Sequence, residues 1–172
     1  GAVHRRRRSH GDGGRTALND RIAAAATTTP ALVAVGETFG RTLRYTEAEI
    51  AAFASMCGDR NPLHHDTAVA ARSAFGRIIA SGPHTTAMMM GLAATHFSRH
   101  DDGVARQMVG LNFNFAFKAP VFADEDVRTE WIVREVAPHE RLRGLLVQID
   151  GTAKTERGVA LVGRGTVLVR AG

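Results

Sequence analysis

The chain has 172 residues, 44% of them apolar and 23% charged, which fits one soluble globular domain better than two. No uninterrupted apolar run reaches the roughly 18 residues of a membrane-spanning helix, and the single cysteine, Cys57, excludes an internal disulfide and fits a reducing, cytoplasmic setting. The net charge of +5 is concentrated at the start: residues 1–29 hold six Arg and two Asp, while the rest holds 16 basic and 15 acidic residues, so the bulk of the chain carries no nucleic-acid signature.

Residues 1–29 have no periodic apolar face and are expected to form a disordered, Arg-rich arm, with one domain over 30–172. "VGETFGRTLRYT" alternates loosely and predicts a first strand. Thr46 and Glu49 then make a capping box, and Ile50, Phe53, Ala54 and Cys57 give one apolar face, predicting a helix over 47–57 that buries the thiol and that Gly58 ends. Past the loop "GDRNPLHHD", Asp66 caps a second short helix, "TAVAARSAF", which Gly76 closes.

The longest helical pattern is 83–98. Pro83 suits the first helical position and makes Gly82 the N-cap, and the helix is apolar nearly all round, so it is buried. From Val104 the pattern changes to period two. "VGLNFNFAF" puts Leu111, Phe113, Phe115 and Phe117 on one face, and three more strands follow, separated by turn text such as "APHER" and "KTERG". The pattern predicts an α+β protein: an antiparallel sheet of about five strands around one long buried helix.

The segments "GDRNPLHHD" and "AFGRIIASG", joined with "NFNFAFKAPVFADEDV", resemble the MaoC-like dehydratases, which include the R-specific enoyl-CoA hydratases. The resemblance implies a hot-dog fold and reversible addition of water across the double bond of a trans-2-enoyl thioester, the substrate being an acyl-CoA or acyl-carrier thioester. It also implies a homodimer or higher homo-oligomer, with neither a metal nor a redox cofactor and with no role for nucleic acid or membrane. Asp59 and His64 match the family's catalytic pair. An imidazole exchanges protons near neutrality, whereas a carboxylate becomes a useful base when an apolar cleft raises its pKa. Which of the two is acid and which is base stays open.

Gly82, at a buried helix start, is the expected oxyanion donor, because such a terminus offers unpaired N–H groups. Asn61, Ser81 and His84 are candidate substrate-binding residues, although Asn61 could equally bond back to its own loop and His84 and His96 could be structural. Hydratases of the family often carry His where this chain has Ser81. Serine keeps a donor but cannot act as a base, which weighs against a simple straight-chain substrate.

Several rivals share these residues. A metal site would use Asp59, His64, His65 and Asp66, yet adjacent histidines diverge, and His65 should point away into solvent. A Cys57–His64 nucleophile needs a reactive thiol. A thioesterase would aim the same water at the carbonyl carbon, and a non-catalytic acyl-thioester-binding subunit would not need the pair. The basic arm alone would support nucleic-acid binding.

Overall fold

A computed structural model describes residues 31–172, so the expectation for the Arg-rich arm lies outside the described residues. The elements run β1 (Thr38–Leu43), α1 (Glu47–Met56), a 3-10 turn (Pro62–His64), α2 (Thr67–Arg72), α3 (Gly82–Phe97), β2 (Arg106–Phe117), β3 (Val127–His139), β4 (Gly144–Thr155) and β5 (Gly158–Ala171). The five strands form one sheet in the order β1-β3-β4-β5-β2, antiparallel at every pairing. Its inner face covers α3, so the expected α+β hot-dog arrangement of a sheet around one long helix is what forms.

The helix is held in place by complementary sizes. Met89, Ala93 and Phe97 of α3 are fully buried, as is Trp131 of β3. The Trp131 indole N–H donates to the Met89 carbonyl at 2.9 Å, which satisfies the one polar atom of a large buried ring. The ring fits because Gly151, its partner in register on β4, has no side chain: a Cβ there would meet the indole at 2.5 Å. Phe113 and Phe115 pack edge-on against the same indole, with ring centroids 6.0 and 6.1 Å away. No helix among the described residues is long and apolar enough to cross a membrane.

Four local expectations need correction. Helix α3 begins one residue earlier than Pro83 implies: Ser81 is the N-cap and Gly82 the first helical residue. Proline is equally tolerated at the second position, whose N–H has no intrahelical partner in any case. Helix α2 stops at Arg72, where Ser73 turns back to the Ala70 carbonyl through both its N–H and its hydroxyl, well before Gly76. Strand β3 runs through Ala137, Pro138 and His139, so the turn is confined to residues 140–143. On β2 the register shifts between Gly110 and Asn112, which leaves Leu111 as the extra residue of a bulge and 47% exposed; Phe117 is 58% exposed at the strand's end. The apolar alternation therefore holds for Phe113 and Phe115 only.

A charged cluster ties the far end of α3 to the sheet. His96 stacks on Phe39 with centroids 3.7 Å apart and shares Glu37 with Arg99, at 2.7 and 2.9 Å. It is thus a structural histidine remote from the start of the helix. The buried Arg106 guanidinium pairs with both Asp102 oxygens at 2.8 Å and also donates to the Leu32 carbonyl. Hydrogen bonding from Arg106 holds the Asp102 carboxyl well below the usual carboxylate range.

Two outcomes follow from this packing. Trp131→Phe loses ring volume and the bond to Met89, and should lower unfolding stability in urea by about 2–3 kcal/mol with little change in the slope. A depressed folded pKa gives Asp102 a stabilising contribution that is complete above roughly pH 4 and drains away as pH falls below it. Asp102→Asn should therefore lower the melting temperature at pH 7 and flatten its decline on acidification, as read by circular dichroism.

Candidate active site

The loop that carries the acid and the imidazole is built by two adjoining caps. Helix α1 starts with the expected capping box: the Glu49 N–H donates to the Thr46 hydroxyl at 3.2 Å, and the Thr46 N–H donates to the Glu49 carboxylate at 2.8 Å. It ends in a Schellman turn. Gly58, at φ +74°, donates to the Ser55 carbonyl, and the Asp59 N–H donates to the Ala54 carbonyl at 2.8 Å. Asp59 is therefore fixed by its own backbone N–H to the last turn of the helix, directly after Gly58. The same turn takes Cys57 off the helix face: it is exposed, not buried as its spacing suggested.

The side chains then fold the loop on itself. Asp59 Oδ1 accepts the Asn61 N–H at 2.9 Å, and Asn61 Oδ1 accepts the Leu63 N–H at 3.2 Å, which starts the 3-10 turn. Asn61 thus spends its oxygen on the loop. His65 is exposed, and its Nε2 donates to the Asp59 carbonyl at 2.7 Å, bracing the loop from outside. The Asp66 carboxylate caps α2 through the Val69 N–H at 2.9 Å. Among the described residues no three His, Cys, Asp or Glu side chains converge as a metal site would need.

His64 is 6% exposed, and its ring lies between the loop and the segment that leads into α3. Nδ1 sits 2.7 Å from the Ile79 carbonyl. A carbonyl can only accept, so Nδ1 carries a proton and the neutral ring presents its lone pair at Nε2. Nε2 lies 3.5 Å from Asp59 Oδ2, on a carboxylate whose side chain is 35% exposed. Two acceptors at that separation are too far apart for a strong direct bond, and both can receive a hydrogen from one water molecule.

Ile79 also leads to Gly82. The Ile79 and Ala80 N–H groups donate to the Leu63 and Val121 carbonyls, which clamps the segment before α3 on both sides. At the helix start the His84 N–H is taken by the Ser81 carbonyl, and Pro83 has none. The Gly82 N–H has no partner among the described residues. Ser81 is 6% exposed, and its hydroxyl makes no capping bond. A groove of about 330 Å³ runs past this point, lined by Phe75, Ser81, Gly82, Thr85, Phe117 and Leu161 among others. The Phe117 ring stands where a side chain at position 82 would be, since a Cβ there would meet it at 2.6 Å.

His84 turns out of that groove. Its ring stacks on Phe53 at 4.3 Å and leans on Tyr45 at 4.2 Å. Nothing in the residue pattern singles out Ile79, Phe117 or Tyr45 for this site: the first acts through a carbonyl that any residue carries, and the other two read as ordinary apolar positions. Nitrogen NMR of the neutral His64 imidazole should find the proton on Nδ1 and the lone pair on Nε2. A neutral ring protonated at Nε2 would contradict the bond to Ile79.

The model of the MaoC like domain family matches residues 26–153. The chain is 32% identical over 130 residues to the (R)-specific enoyl-CoA hydratase of Aeromonas caviae, covering 74% of this chain and 92% of that protein. It is 30% identical over 96 residues to the 3-hydroxybutyryl-CoA dehydratase of Methylorubrum extorquens, covering 56% of this chain and 57% of that one. The solved structure of the (R)-hydratase from A. caviae superimposes with a TM-score of 0.69 at 28% identity, over 81% of this chain and 98% of the other. The loop, the buried helix start and these matches agree, and the chain belongs to the MaoC-like domain family.

Proposed function

We propose that this chain is a hydro-lyase that adds water reversibly to a trans-2-enoyl-CoA, or removes it from the 3-hydroxyacyl-CoA. The names of the hydratase and dehydratase relatives support that reaction. The observation that carries the reading is the pairing of Asp59 Oδ2 and His64 Nε2, 3.5 Å apart and both able to accept from one water. That water gives one hydrogen to each. As its oxygen bonds to C3 of the enoyl group, one of its protons passes to the pair, and the pair delivers a proton to C2 from the same side, which restores its starting charge. Negative charge moves onto the thioester oxygen as this happens. The unpaired Gly82 N–H, at the positive end of a buried helix, is the donor for it. The Ser81 hydroxyl stands beside that donor and binds substrate without exchanging its proton.

Two features complete the reading. Among the described residues the outer edge of β2 has no strand partner, and Val109 and Leu111 on it are 52% and 47% exposed. A second copy of the chain pairs there, which removes an open edge and covers the apolar side chains. Coenzyme A arrives as part of the substrate, and the proton transfers need neither a metal nor a redox group.

The test is a spectrophotometric hydration assay with trans-2-enoyl-CoA substrates of several lengths. Asp59→Asn and His64→Ala should each lower kcat/KM by about 10²–10⁴-fold while the circular dichroism spectrum is unchanged. Equal rates in wild type and both variants would remove the pair from the chemistry. Release of free thiol without hydration would make the chain a thioesterase.

A further inference from the structure

The groove that runs past Gly82 changes character between its floor and its rim. Ser81, Thr85, Ala160 and Leu161 on the floor are buried, whereas Phe75, Phe117 and Lys118 on the rim are exposed. Among the described residues that line the groove, Lys118 alone is charged. Its backbone stands on a fixed base. The Lys118 and Ala119 N–H groups both donate to the Ala160 carbonyl, at 2.8 and 3.2 Å, and the Pro120 carbonyl accepts from Arg157 at 3.0 Å.

The carboxylates that follow this lysine in the chain are already engaged. Glu125 is held by Arg157 and approached by Arg77, and Asp126 pairs with Arg44. Among the described residues none forms an ion pair with the Lys118 ammonium. The neighbouring guanidiniums are placed differently. Arg77 and Arg157 both lie over the Phe122 ring, 4.4 and 4.3 Å from its centroid. The hollow they share with Arg44 holds four carboxylates against three guanidiniums, so an incoming anion meets a net negative surface there. The free cation on this side of the molecule is the one on the groove rim.

A coenzyme A thioester has two ends of opposite character, an apolar acyl group and a pantetheine arm that carries phosphate. With the acyl group on the dry floor and the thioester oxygen at the Gly82 N–H, the arm leaves across the rim. We propose that Lys118 is the phosphate-recognising residue of the groove, pairing its ammonium with a phosphate on the arm of the thioester. This rests on the reading of the chain as an enzyme of CoA thioesters and assigns the residue that holds their polar end. A lysine ammonium is a compact point charge with three donors, which suits a phosphate reached through a flexible arm. Because the pair is open to water, its contribution is modest and is screened by salt.

Two measurements on the full chain test this. In the first, kcat/KM is measured for one enoyl group carried on CoA, on 4′-phosphopantetheine and on N-acetylcysteamine, which ends before any phosphate. Wild type is compared with Lys118→Met, Lys118→Glu and Lys118→Arg. The preference for the CoA ester over the N-acetylcysteamine ester should fall about threefold or more in Lys118→Met, through KM, and further in Lys118→Glu. Lys118→Arg should restore most of it, and added salt should reduce it in wild type only. Equal sensitivity of the phosphopantetheine ester assigns the contact to the first phosphate, and sensitivity of the CoA ester alone assigns it to the nucleotide's phosphates. A preference that is the same in wild type and all variants overturns the proposal while leaving the hydratase reading intact. In the second, which needs no turnover, the saturated acyl-CoA is titrated into wild type and Lys118→Met by calorimetry. Its Kd should rise about threefold or more in the variant, and an equal Kd overturns the subsite. Absence of hydration with a Kd that depends on Lys118 would sink the hydratase reading and leave the subsite standing.

Discussion

The hydrogen bond from His64 Nδ1 to the Ile79 carbonyl is the contact on which the site depends. It joins two stretches that lie 15 residues apart and come from different parts of the fold, the loop after α1 and the run that enters α3. Because the acceptor is a main-chain oxygen, it does not titrate, and the ring keeps one orientation in both of its protonation states. The Ile79 backbone is held in turn by the Leu63 carbonyl and by a bridge to Phe122, so the acceptor has little freedom to move. Loss of that anchor would release Nε2 from Asp59 and separate the loop from the helix start.

A second constraint acts on the helix. Its N-terminus is half-buried at Gly82, against the Phe117 ring, and its middle is fixed by the indole of Trp131. The sheet can close this tightly because glycines lie opposite its aromatic side chains: Gly151 faces Trp131, Gly163 faces Phe115 and Gly165 faces Phe113. Each missing Cβ is filled by a ring, so the packing is dense without overlap. The consequence for function is positional. A donor N–H at the end of a helix is useful only if the helix cannot slide, and here both its start and its centre are pinned.

Much of this was legible in the sequence because it depends on short-range rules. Thr46 with Glu49, Gly58 after the helix and Asp66 before the next one are caps whose partners lie within four residues, and each forms as expected. The alternation that marks the strands reflects a face buried along its whole length. The misreadings arise where tertiary contacts or single-residue shifts decide. One extra residue at Leu111 breaks the period of β2, and one residue of turn after Met56 sends Cys57 outward. Asp59 and His64 were found through their spacing in a motif. The carbonyl of Ile79 was not, since a backbone acceptor leaves no mark on composition or periodicity.

The lone tryptophan of the chain sits at the centre of this arrangement, fully buried and bonded to the helix it supports. Its intrinsic fluorescence is therefore a built-in reporter with no competing fluorophore of its kind. Emission from the folded state should be blue-shifted by the dry surroundings of the indole and move to the red when water reaches it. Excited selectively, this one ring can follow the docking of helix onto sheet in a refolding experiment without any label being attached.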